Sequence, residues 1–184
     1  MNPIRRKDRE MSIDFAYGVI DKSQFGTLAT TDKDGNPYCI PVSAVRKDDT
    51  IYFHCAKIGT KIDNIKNNPN VCMSFVGDVH VPVEFNVSSV SEGNGRVSDT
   101  RFTTEYESAV VFGTAAEVED DDEKLLALRL IGWKYTPDDM PFFDAYVNSS
   151  IKITDVVRVN INHITGKRKK FDKSGIEMKF GRME

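Results

Sequence analysis

Short apolar segments with an alternating or β-branched pattern recur along this chain, and polar turns separate them. Alternation with a period of two is typical of strands, and turns such as Asp34-Gly35-Asn36-Pro37 join antiparallel strands. We predict six strands, the first starting at Thr27 and the others covering 37–45, 51–54, 71–76, 108–118 and 156–164. The first three are expected to form a meander, because each follows the last after a short turn.

Three segments have a helical pattern instead. Ser12 can cap a helix whose Phe15, Val19 and Ile20 share one face, and residues 61–67 repeat isoleucines at helical spacing before Pro69. A third helix follows the acidic run 120–123, whose charges complement a helix N-terminus. That role explains the run without a metal ion, and we predict no metal site.

Together these elements predict a mainly β fold with peripheral helices, a six-stranded antiparallel barrel. The length of 184 residues is expected for one domain over 1–184. Its predicted parts are an N-terminal helical arm at 1–25, a long excursion at 82–104 that breaks the strand pattern, and a charged C-terminal tail at 167–184.

Composition narrows the function classes. The net charge of -3 does not favour binding to nucleic acid or anionic lipid, which needs clustered cations. The N-terminus lacks an apolar signal region, and no apolar run reaches the ~18 residues that span a bilayer, so we expect a cytoplasmic protein. Cys39, Cys55 and Cys72 lie in strand-like surroundings without metal-ligand spacing, and are expected to be buried, reduced thiols.

The segment 54–61 is the strongest candidate for a binding site. It leads from a strand end into a helix start, and it combines free backbone N–H groups, the Thr60 hydroxyl and the ammonium groups of Lys57 and Lys61. These groups can form a phosphate cradle, although the glycine spacing of a Walker loop is missing. The alternative is that both lysines only solvate an exposed turn.

One histidine and three aromatic residues each have two interpretations. His54 is either a structural strand residue or, beside a redox-active ring, a donor of a proton or hydrogen bond with a near-neutral pKa. Trp133, Phe142 and Phe143 either wall a flat cofactor or, as we favour, belong to the core.

Six motifs, taken in order, resemble the FMN-binding split-barrel family related to pyridoxamine 5'-phosphate oxidase, in its branch of Nim-type 5-nitroimidazole resistance proteins. The motifs are RRKDRE at 5–10, GNPYCIPV at 35–42, YFHCAKIGTKID at 52–63, NPNVC at 68–72, YESAVVFG at 106–113 and ITGKR at 164–168. They extend over nearly the whole chain. Two features depart from the family: Thr27 stands where many relatives carry an arginine, and the excursion 82–104 is longer.

The resemblance implies a Greek-key split barrel that binds FMN in a cleft between the two chains of a homodimer. It implies phosphate contacts from Lys57, Thr60 and Lys61, and backbone contacts to the flavin ring around Val42 and Ser43. His54 matches the histidine placed next to the cofactor and is the candidate catalytic residue. Tyr106 and Ser108 are expected to reach the site from the partner subunit.

The function expected from this resemblance is that of an FMN-dependent reductase of small electron-poor compounds such as nitroaromatics. Two alternatives remain open. One is a flavin-binding or flavin-sensing module without catalysis, and the other is a split barrel that binds haem.

Overall fold

An antiparallel sheet with helices on both faces forms most of the chain. The computed structural model describes residues 3–81 and 103–184. The strands are β1 (Glu10–Met11), β2 (Gly26–Thr31), β3 (Pro37–Val42), β4 (Ala44–Lys47), β5 (Thr50–Ala56), β6 (Asn70–His80), β7 (Glu105–Glu117) and β8 (Thr154–Lys169). The α-helices are α1 (Ile13–Lys22), α2 (Thr60–Asn67), α3 (Asp121–Tyr135) and α4 (Phe143–Ser150), with 3-10 helices at Lys7–Arg9 and Pro137–Phe142.

The two edge strands of the sheet follow each other directly in the sequence. Its strand order is β3-β2-β6-β7-β8-β5-β4, with β1 paired to β8. The edge strands β3 and β4 do not pair with each other within the described residues, yet only Ser43 separates them in the chain. The sheet therefore curls until its edges come close, which produces a split barrel that remains open at Ser43.

This architecture confirms the mainly β split-barrel prediction and refines its details. All six predicted strands are present, but the one predicted at 37–45 is two strands, because the chain changes sheet edge at Ser43. The expected meander of the first three strands is wrong for the same reason, since β3 and β4 lie at opposite edges. β1 was not predicted, because two residues carry no readable alternation.

The inner face of the sheet holds the main apolar cluster. Strand residues that point inward pack against one face of α1 and against α2; they include Leu28, Ile51, Phe53, Met73, Phe75, Val111, Val157 and Val159. The Ser12 side chain accepts a hydrogen bond from the Phe15 N–H at 3.2 Å, which fixes the start of α1 as predicted. Because α1 places Ala16, Val19 and Ile20 inward, the helix closes the core on this side.

A second, smaller cluster lies on the outer face under α3. It consists of Val45, Tyr52, Val118, Ala127, Ile131 and Val156. Asp120 begins α3 by accepting a hydrogen bond from the Glu123 N–H at 2.7 Å, so the acidic run has the helix-start role predicted for it. Since α3 covers β4, β5 and the start of β8, it determines where a cavity can form on the outer surface.

Two predicted segments, the excursion and the C-terminal tail, remain to be compared with the structure. The excursion 82–104 lies outside the described residues except for Thr103 and Thr104, and the predicted tail 167–184 begins as strand, because β8 continues to Lys169. None of the described helices is long and apolar enough to cross a membrane.

Candidate functional site

A cavity of 570 Å³ opens on the outer face of the sheet, beside the split. His54 and Ser43 line it from the sheet, and the helical segment from α3 to α4 lines the opposite side. The other lining residues include Leu128, Ile131, Tyr135, Asp139, Met140, Phe142, Phe143, Tyr146 and Val147. Its size lies within the ~300–1,000 Å³ range of small-molecule sites, and its walls are mainly apolar and aromatic.

His54 reaches the cavity because of the strand period. On β5, Ile51 and Phe53 point into the barrel, so Tyr52 and His54 point outward, and α3 covers only Tyr52. The His54 side chain remains exposed, but the protein atoms around it displace water and lower its pKa below the ordinary 6.5. Its imidazole is therefore neutral at pH 7 and can donate or accept a hydrogen bond.

The corner at the split is held by the end of α3. The carbonyl oxygen of Ala44, the residue after Ser43, accepts a hydrogen bond from the Tyr135 hydroxyl at 2.8 Å and another from the Lys134 ammonium at 2.9 Å. The same ammonium donates to the Ile20 carbonyl at 3.1 Å, and its burial lowers the pKa of Lys134. These contacts fix the edge strand β4 against α3 and so fix Ser43 in the cavity wall.

The two backbone candidates at the corner differ in orientation. Val42 is buried, its side chain belongs to the inner cluster, and it does not line the cavity. Ser43 is exposed and lines the cavity.

The basic turn follows β5 directly. Lys57 and Thr60 are exposed and Lys61 is partly buried, and neither lysine forms an ion pair in the part of the chain that the structure describes. α2 begins after Gly59, whose φ is 126°, and no side chain caps it. Since the first N–H groups of a helix have no intrahelical acceptor, they add donors to the two cations. The turn therefore has the chemistry that a phosphate monoester needs.

The basic turn follows the end of β5 that lines the cavity. His54 and Lys57 are three residues apart in a largely extended segment, which corresponds to about 10 Å. The ammonium of Lys61 acts on the Cys55 thiol, since it opposes the burial that raises the pKa of that thiol to about 11. The cavity-lining end of β5 and the basic turn are therefore joined by one short stretch of chain.

Tyr106 and Ser108 lie far from this group within one chain. Tyr106 pairs with Lys169 on β8, whereas His54 pairs with Val156, thirteen residues earlier on the same strand. That stretch is roughly 40 Å of strand. Both side chains are partly exposed on the outer face of β7, and neither lines the cavity with His54. A single chain thus brings Ser43 and His54 to one cavity, with the basic turn directly after β5, but it does not bring Tyr106 and Ser108 there.

Residues 14–168 match the pyridoxamine 5'-phosphate oxidase family. The chain belongs to this family. The match includes every strand from β2 to β7 and nearly all of β8, so it confirms the family recognised from the six sequence motifs. No curated protein matches the chain.

Solved structures of other proteins share the fold. A Bacteroides thetaiotaomicron structure named for 5-nitroimidazole antibiotic resistance is 25% identical, with a TM-score of 0.67 over 85% of this chain and 84% of that one. An FAD-binding protein from Mesorhizobium loti is 22% identical, with a TM-score of 0.54 over 88% and 98%. An FAD- and haem-binding protein from Mycobacterium smegmatis is 18% identical, with a TM-score of 0.67 over 88% and 73%.

Several aromatic and cavity-lining residues were missed or assigned differently from the sequence. Trp133 and Phe142 were favoured as core residues, but they are exposed, and Phe142 lines the cavity; Phe143 is buried as favoured and lines it too. Tyr135 and Asp139 were not singled out. The available signal was the repeat of Leu128, Ile131 and Tyr135 at helical spacing, but it does not reveal which surface the helix covers.

The cysteines are free thiols, as expected, but they are not all buried. Cys39 is exposed on the edge strand β3, which corrects the prediction, whereas Cys55 and Cys72 are partly buried. Burial raises the pKa of both partly buried thiols, so they remain protonated and unreactive at neutral pH.

Proposed function

We propose that this chain is an FMN-binding flavoprotein that reduces small electron-poor aromatic compounds, in the cytoplasm. The observation that carries the proposal is that β5 leads from the cavity-lining His54 into the basic turn, whose Lys57 follows three residues later, about 10 Å along an extended chain. The Bacteroides thetaiotaomicron relative supports the nitroaromatic class, and FAD-binding relatives support a flavin. When bound, the flavin supplies the electrons for reduction.

The chain's own residues bind and orient the ligand. Lys57, Thr60 and Lys61 hold the phosphate end with two charges, a hydroxyl and the free N–H groups of α2. The backbone around Val42 and Ser43 faces the ring, and apolar walls exclude water from its other side. Burial at these walls increases the strength of each polar contact.

His54 is the candidate catalytic residue, because it alone among the described lining residues carries an imidazole. Its imidazolium form can deliver a proton to an acceptor in the cavity as that acceptor gains electrons. Since the pKa of His54 lies below 6.5, the protonated fraction and the rate are expected to rise as the pH falls from 8.5 to 5.5.

We further propose a homodimer with the flavin at its interface. Tyr106 and Ser108 lie about 40 Å along β8 from the His54 end of the sheet, so a second chain is needed to bring them to the site. The outer face of β6 and β7 offers the surface, since Val76, Val110 and Phe112 point outward and are at least partly exposed there.

The experiment is a single-turnover measurement with the reconstituted, prereduced protein and a nitroimidazole acceptor. His54→Ala is expected to keep FMN bound and to slow reduction per bound flavin by about 100-fold, with His54→Gln equally slow. Equal rates and equal pH profiles in wild type and both variants would remove His54 from the mechanism. Bound flavin without any turnover would favour the non-catalytic binding module, and a Soret band would indicate haem.

A further inference from the structure

Arg168 holds a full charge on the inner face of the sheet, near the end of β8. Only 2% of its surface is exposed, and its guanidinium lies 5.7 Å from the centroid of the Phe15 ring of α1. Burial lowers the pKa of Arg168 below its usual 12.5, but a guanidinium keeps its charge at every physiological pH. A buried charge of this kind is costly unless an anion lies beside it.

No carboxylate pairs with Arg168 among residues 3–81 and 103–184. Glu107 is its direct neighbour across β7 and is itself buried, but the Glu107 carboxylate accepts its hydrogen bond from the Lys22 ammonium. Asp172 is paired with Arg182 at 2.9 Å. The Arg168 charge therefore has carboxylates near it, but none in direct contact.

The segment 182–183 covers Arg168 with neutral acceptors. Nη1 of Arg168 donates to the Met183 sulfur at 3.0 Å, and Nη2 donates to the Arg182 carbonyl. Nε of Arg168 is buried and has no hydrogen-bond partner. Because a thioether is a weak acceptor and one N–H group is left unpaired, the guanidinium is incompletely satisfied.

Two other arginines show what the same edge of a guanidinium binds in this protein. Nε and Nη2 of Arg6 donate to the Asp8 carboxylate at 2.7 and 2.5 Å, and those of Arg46 donate to the Asp21 carboxylate at 3.0 and 2.5 Å. On Arg168 this edge holds one carbonyl oxygen and leaves Nε unpaired. A planar oxyanion or a phosphate group satisfies both donors at once.

From these contacts we propose that Arg168 is an oxyanion-binding residue, which the segment 182–183 covers and which a bound oxyanion uncovers. Uncovering needs only the Arg182 carbonyl and the exposed Met183 side chain to turn away. The tail stays attached, because the Phe180 N–H donates to the Asp8 carbonyl at 2.7 Å and Glu177 pairs with Arg9 at 2.5 Å. The segment is therefore a displaceable cover.

This site does not depend on the proposed function. His54 pairs with Val156 on β8, twelve residues before Arg168, which is roughly 40 Å of strand. Arg168 also belongs to the motif ITGKR at 164–168, to which the flavin site gives no role.

The test is a titration of the ¹⁵N-labelled protein with sodium phosphate, sodium acetate and sodium chloride at matched ionic strength. The NMR signal of the residue 183 amide is followed, because this N–H shares a peptide unit with the carbonyl that covers Arg168. We expect a saturable shift with phosphate and none with chloride. An equal shift with acetate would assign carboxylates to the site as well. No saturable shift with either oxyanion, or the same shift with chloride, would overturn the inference.

Variants on both sides of the contact separate binding from a general salt effect. Arg168→Gln should abolish the saturable shift. Met183→Ala weakens the cover without touching the core, so the apparent Kd for phosphate should fall by about threefold or more. The control Ile176→Ala changes another exposed residue of the same tail and should keep the wild-type Kd. A shift that persists in Arg168→Gln, or equal Kd values for Met183→Ala and Ile176→Ala, would contradict the proposal.

A last variant separates this site from the phosphate cradle. Lys61→Ala should give the wild-type phosphate shift at residue 183, whatever its effect on FMN. Loss of that shift would mean that phosphate acts through the basic turn, which would refute the role of Arg168. Failure of the protein to bind FMN would contradict the proposed function and leave the Arg168 site intact.

Discussion

Replacing Lys61 by alanine tests the phosphate cradle most sharply. Lys61 is partly buried at the start of α2 and forms no ion pair in the described chain, so its charge is available to a ligand. A charge-assisted hydrogen bond contributes about 1.5–3 kcal/mol, which corresponds to a roughly 10- to 150-fold rise in the Kd for FMN. Binding should persist at this weaker level, because Lys57 and the free N–H groups of α2 remain.

The matched control is Lys66→Ala on the same helix. Lys66 is exposed and pairs with Glu117 at 3.1 Å, so its removal deletes a lysine of α2 without touching the cradle. We expect an FMN Kd within about twofold of wild type for this variant, and a change in unfolding free energy within about 0.5 kcal/mol for both variants. Flavin fluorescence titration measures the Kd. A folded Lys61→Ala protein with wild-type FMN affinity would refute the cradle.

Two further predictions concern the cavity wall. Because burial lowers the pKa of His54, the unfolded chain binds its proton first, so stability is lost as the pH falls from about 6.5 through the folded pKa. In urea unfolding at pH 5 to 7.5, His54→Gln should show a shallower loss than wild type, and an equal slope would contradict this account. Tyr135→Phe removes the hydrogen bond to the Ala44 carbonyl and should lower the unfolding free energy by about 0.5–1.5 kcal/mol. The control Tyr146→Phe alters an exposed tyrosine of the same cavity and should have little effect; equal values for the two variants would refute the role of this hydrogen bond.

Local patterns predicted the elements well because their causes are local. The caps Ser12 and Asp120 accept hydrogen bonds from N–H groups three residues later, and both helices begin where the sequence places them. The strands follow a period of two that the barrel interior requires, as the buried alternation of β2 and β7 shows. The motif between His54 and Lys61 likewise lies at the strand-to-helix transition that was predicted.

Features that depend on distant contacts could not be predicted in this way. The apolar pattern at 37–45 continues through Ser43, so nothing local shows that the chain leaves one sheet edge for the other. Phe142 is apolar and still exposed, because the short helices around it cover the cavity instead of entering the core. Asp139 lines the cavity only because tertiary packing creates that space beside it.

The central claim is that two chains together hold FMN, with Lys57, Thr60 and Lys61 on its phosphate and His54 beside its ring. Native mass spectrometry of the protein reconstituted with FMN tests this most directly, because it reports the oligomer and its ligand in one spectrum. We expect a species with two chains and two FMN molecules. When the two chains dissociate, we expect FMN to be released. A monomer that retains one FMN per chain, or a dimer that takes up no FMN, would contradict the account.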